Sequence, residues 1–235
     1  MDNKQGKLLR TTAIILMGAT AAMNILGGIG TVCAAFLTRD FPMLWSLYEY
    51  RWLYQIVMIV TIIIGVAGAW LTITLSRGKK NTYRNSLILL VLGTIAAGTQ
   101  VYASMSLRGK AVPANFKLYA NALTLIVFLF LLIPKLRSMV GFDSEDKSSS
   151  PGVAGGLAAI IVGLIVLSTQ IWVGTSHTFD GHNWVEVLST PLMISGIVLI
   201  LLGVGSFFRL LARRAGTPLL STPKSPIVQS KLSTQ

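Results

Sequence analysis

The apolar positions of this chain come in long blocks separated by short polar stretches. The blocks run from Thr12 to Leu37, Leu53 to Leu75, Asn85 to Leu107, Lys117 to Pro134, Val153 to Gly174 and Val187 to Leu211. A helix rises 1.5 Å per residue, so roughly 20 apolar residues cross a hydrocarbon layer about 30 Å thick. Lipid offers no partner to an open strand edge, and the dyad alternation of a membrane barrel is absent, so each block is expected to be a helix. The pattern predicts an all-α, multi-pass membrane protein: a bundle of about six transmembrane helices over residues 12–214. It is flanked by a short cytoplasmic N-terminus, residues 1–11, and a tail, residues 215–235, expected to be disordered and cytoplasmic. The fourth block is the shortest and ends at Pro134, which makes its boundary the weakest.

Composition agrees. Of 235 residues 53% are apolar and 12% charged, about half the charged fraction of a soluble domain. The net charge of +12 need not imply nucleic acid, because the basic residues sit at block ends, where they orient a membrane protein and meet anionic headgroups. Only Arg39, Arg51, Arg108, Lys110 and Lys117, of 20 Lys and Arg, fall on one side of a six-helix arrangement. The excess on the other side places both termini in the cytoplasm of a cytoplasmic membrane. The basic start (Lys4, Lys7, Arg10) before an apolar run also fits a secretory signal. Thr12 to Leu37 is too long for a typical signal core, and Val32 is bulky at the place of a cleavage site, so the first helix is expected to be retained. The lone Cys33 excludes an internal disulfide and a cysteine-based cluster.

The aromatic run from Phe41 to Tyr54, with Trp45, Tyr48, Tyr50 and Trp52, is expected to lie along the outer interface, where amphipathic rings are at home. An aromatic binding platform is the alternative. The third and fifth blocks match at an offset of 70: Gly93 with Gly163, and Thr99-Gln100-Val101-Tyr102 with Thr169-Gln170-Ile171-Trp172. A weaker echo around Gly18 extends this to three parallel hairpin repeats about an axis along the membrane normal. Small residues four apart (Gly18 and Ala22, Gly65 and Ala69, Gly93 and Ala97, Gly155 with Ala159 and Gly163) predict helices in close approach.

Polar side chains inside apolar blocks are costly and often functional. Asn24 falls near mid-membrane; Gln100, Asn121 and Gln170 fall toward the outer half. Facing inward, they would form one polar binding site open to the outside; the simpler reading is that these amides tie helices together. No Asp, Glu, Lys, Arg or His is read as lying deep in a block, which disfavours a proton-driven pump. The last outer loop holds both histidines, and His177, Asp180, His182 and Glu186 offer ligand types suited to a divalent metal, at a spacing that matches no strong motif. There is no nucleotide-binding glycine loop, no HExxH and no paired nucleophile and base. The sequence therefore points to a non-enzymatic accessory or interaction subunit whose partners are the lipid bilayer and other membrane subunits, with no nucleic acid. The alternative is a small-solute transporter or facilitator. The sequence names no cofactor.

Overall fold

A computed structural model of the chain describes residues 3–111, 114–142, 151–173, 178–179, 181–187 and 189–215. The segment 143–150 and the tail beyond Ala215 lie outside these residues. The elements in chain order are α1 (Asn3–Gly30), α2 (Val32–Phe36), a 3-10 helix (Pro42–Tyr50), α3 (Arg51–Ser76), α4 (Thr82–Arg108), α5 (Ala114–Phe130), α6 (Pro134–Val140), α7 (Pro151–Val173), β1 (Thr178–Phe179), β2 (His182–Asn183), α8 (Trp184–Val187) and α9 (Ser189–Ala215). The all-α expectation holds apart from the two-residue antiparallel ladder of β1 and β2.

Among the described residues, five stretches are long and apolar enough to cross a membrane, and there are six if the bent pair α5–α6 counts as one. That pair corrects the fourth block. The helix stops at Phe130, and the axis turns by 99° before α6. Pro134 opens the new helix at its first position, and Ile133 before it is held extended (φ −55°, ψ 124°), as the proline ring requires of its predecessor. At 17 residues, α5 spans only about 25 Å.

Close approach between antiparallel neighbours comes from small residues. On α3, Gly65 lies against Ile25 and the Ala21 carbonyl of α1, and a methyl group at Gly68 would stand 3.0 Å from Ala21. The most extensive seam joins α7 to α9. A Cβ on Gly163 would sit 2.7 Å from the Gly196 carbonyl oxygen, and one on Gly203 2.6 Å from that of Gly156. Gly156 and Gly163 share one face of α7, as Gly196 and Gly203 do of α9, since a seven-residue step spans nearly two turns. Gly155, which the sequence pattern singles out, is not in this seam; its nearest neighbour is Ser76 Oγ, 3.9 Å from a built Cβ.

Two apolar clusters close the ends of the bundle. At one end Tyr83, Phe128 and Phe142 stack with centroids 5.3–6.4 Å apart, packed with Ile14, Met17, Leu75 and Leu90. At the other, the 3-10 helix inserts Leu44 and Leu47 beside Ala35, Phe41, Tyr54 and Ala103. Trp45, Tyr50 and Trp52 point away, 61%, 44% and 56% exposed, as residues at an interface would.

Candidate functional site

The buried residues of α5 are Ala114, Lys117, Asn121, Thr124 and Phe128. Steps of three and four place them on one helix face, so that face carries three polar side chains into the bundle. It meets α1, whose Thr20, Asn24 and Gly27, continued by Thr31 just past the helix end, follow the same spacing.

The two asparagines pair reciprocally. Asn24 Nδ2 donates to Asn121 Oδ1 at 3.2 Å, and Asn121 Nδ2 donates to Asn24 Oδ1 at 3.0 Å. Each amide also donates to a backbone carbonyl one turn back in its own helix, Thr20 for Asn24 (3.0 Å) and Lys117 for Asn121 (2.7 Å). One turn along, the Thr20 and Thr124 hydroxyls bond at 2.7 Å. Gly93 of α4 makes room for the pair, since any Cβ there would collide with Asn121 Oδ1. Asn24 is 2% exposed and Asn121 0%.

Gln100 of α4 reaches the residue just beyond the end of α1. Its Nε2 donates to Thr31 Oγ1 at 3.0 Å, and the Thr31 hydroxyl in turn donates to the Gly27 carbonyl at 2.6 Å. The other end of the amide, Gln100 Oε1, is buried without a partner among the described residues. One turn further along α4, Ser104 bonds Tyr54 of α3 at 3.1 Å.

Lys117 corrects the sequence reading twice. The sequence pattern makes it a headgroup-level cation on the outer side and places no charge deep in a helix; in the structure it is 2% exposed, inside the bundle. Its stem crosses Gly27, where a Cβ would stand 3.0 Å from Lys117 Cδ, and its Nζ donates to Thr61 Oγ1 of α3 at 3.1 Å. Among the described residues it makes no ion pair. Arg10 is also buried, 6% exposed, with its guanidinium 5.9 Å from the centroid of the Phe142 ring.

Of the four amides expected to cluster, the structure joins Asn24 and Asn121 and adds Gln100 through Thr31. Gln170 does not join them; it is exposed on α7. Gln170→Leu should therefore change the melting temperature little, by an equivalent of less than about 0.5 kcal/mol, in a thermal melt of the detergent-extracted protein. Of the residues with metal-ligand chemistry, His177 and Asp180 lie outside the described residues, as does the His182 side chain, and Glu186 is exposed on α8. Among the described residues no three His, Cys, Asp or Glu side chains gather.

Compared with family models, curated proteins and solved structures, the chain matches none.

Proposed function

We propose that the protein is a multi-pass subunit of a cytoplasmic membrane, both termini on the cytoplasmic side, that works through contacts with other membrane proteins and not as an enzyme. The observation that carries this reading is the reciprocal Asn24–Asn121 pair. A solute site needs polar groups turned toward a ligand, whereas these two amides bond to each other at full burial. The polar centre thus serves to lock α1, α4 and α5, and the working surface is the outside of the bundle.

The most available part of that surface is α9, whose membrane-length window is only 11% buried within the chain. Ile194, Leu201 and Phe208, seven residues apart, are 58%, 63% and 66% exposed and form one apolar stripe. The occupant proposed for it is an apolar transmembrane helix of a partner. The test is a photo-crosslinking residue at Leu201, activated in the native membrane. A discrete polypeptide adduct, lost when the probe is moved to buried Val166, is the expected result; labelling of lipid alone would overturn the reading. The three consecutive antiparallel hairpins, α1–α3, α4–α5 and α7–α9, are consistent with the hairpin repeat, although Gln100 is buried and its counterpart Gln170 exposed.

One observation favours a second reading, a carrier of a small polar or anionic solute. Among the described residues, Lys117 is a fully buried ammonium with three donors and one bond, and Gln100 Oε1 is a buried acceptor with none. Under that reading liposome flux would disappear in Lys117→Met while the protein stayed folded.

A further inference from the structure

The seam that binds α9 to α7 leaves α9 standing off α1 and α3, and the space between is a lateral cleft of about 1060 Å³. Small residues (Gly18, Ala21 and Ala22 of α1, Ala69 of α3) line it together with larger apolar ones such as Ile25, Ile29 and Ile73. The volume exceeds the upper part of the ~300–1,000 Å³ range usual for drug-sized ligands.

The cleft is chemically uneven. Its hydroxyls have their protons engaged locally: Thr72 with Gly68 O (2.8 Å), Ser76 with Ile73 O (2.7 Å), Ser195 with Pro191 O (2.7 Å) and Ser206 with Leu202 O (2.8 Å). The lining offers no carboxylate. Its free donors are at one end, where Arg77 closes α3 and Arg209 comes from the last turns of α9. Both are exposed, and neither has a partner among the described residues. An occupant must be apolar over most of its length and anionic at that end.

We propose that this cleft binds an anionic phospholipid, its acyl chains between α1–α3 and α7–α9 and its phosphate clamped by Arg77 and Arg209. Two guanidiniums supply the donor geometry that phosphate oxygens accept. The basic end is the end that the Lys and Arg distribution assigns to the cytoplasm, so the lipid would come from the inner leaflet. This inference does not depend on the partner-helix reading of α9, whose 194/201/208 stripe is absent from the cleft lining.

The test uses the full chain in detergent, delipidated and then offered phosphatidylglycerol or phosphatidylcholine of matched chains, with bound lipid counted by native mass spectrometry. The wild type should retain phosphatidylglycerol preferentially, and the R77Q/R209Q variant should lose that preference by on the order of tenfold. Ala69→Trp, at an exposed position on the cleft wall, should obstruct the path of the acyl chains and lower retention of both lipids without lowering the melting temperature. Equal retention of the two lipids by the wild type, or unchanged retention in R77Q/R209Q, would overturn the proposal. So would competition by inorganic phosphate alone that persists in Ala69→Trp, because the site would then be for a free anion. A co-purifying polypeptide displaced by Ala69→Trp in place of lipid would also overturn it.

Discussion

Replacing Lys117 by methionine is expected to raise the melting temperature of the detergent-extracted protein by several degrees. A buried ion loses its hydration, and the loss is offset only by close partners. Lys117 has one, the Thr61 hydroxyl at 3.1 Å, and no carboxylate among the described residues. Methionine keeps an unbranched stem to lie across Gly27 and removes the charge, a change worth roughly 1–4 kcal/mol where buried ionic groups give way to apolar residues of similar volume. Lys117→Ala separates the two contributions. It removes the charge but also the stem, and the cavity left beside Gly27 should cancel most of the gain. A protein that keeps such a cost has a use for the group, so a stabilised Lys117→Met that has lost a cellular phenotype would mark Lys117 as functional. A Lys117→Met variant markedly less stable than the wild type would instead show that the ammonium is held by more than Thr61.

The opposite sign is expected at Gly163. A leucine there must displace the Gly196 carbonyl and the Ile200 backbone, 2.7 and 3.1 Å from even the first side-chain carbon. Backbone cannot rotate aside as a side-chain tip can. The cost should reach or pass the top of the roughly 1–3 kcal/mol usual for overpacking, and it should appear as separation of α9 from α7. A cysteine pair bridging the two helices, made in a background lacking Cys33, would report this as lost cross-linking. Gly205 of α9 has nothing within 4 Å of a built Cβ, so Gly205→Leu should leave both cross-linking and melting temperature intact. A glycine in a helix interior is itself unfavourable by about 1 kcal/mol, and a small gain at Gly205 would fit.

What could be read from the sequence was residue type and depth. Asn24 and Asn121 stood out because an amide in an apolar block is costly, and the structure places them in one pair. Lys117 was missed although its signal was present. It lies four residues before Asn121 and seven before Thr124, on the same helix face, but hydropathy made it a block boundary and the basic-residue count made it a headgroup cation. Gln170 was misplaced for the converse reason. A shared Thr-Gln-aromatic motif gives depth along a helix but not which side meets a neighbour, and in a uniformly apolar block no polar face reveals the rotation. The bend at Pro134 was hidden because apolar character continues through Leu131, Leu132 and Ile133 while the axis turns by 99°. Likewise, Gly155 and Gly156 are adjacent in sequence, and only the position of α9 decides which of them makes the seam.

The claim on which the account rests is that the Asn24–Asn121 pair is closed on itself and holds helices together. A double-mutant cycle of Asn24→Leu, Asn121→Leu and the double variant, read by reversible unfolding in detergent, tests it most directly. Each single variant strands a buried amide, at a cost of about 1–3 kcal/mol. The double variant strands none, so it should cost less than the sum of the two, with a coupling of roughly 0.6–1.7 kcal/mol as found for hydrogen bonds between membrane helices. Strictly additive losses would contradict the account, because the two amides would then be serving something other than each other.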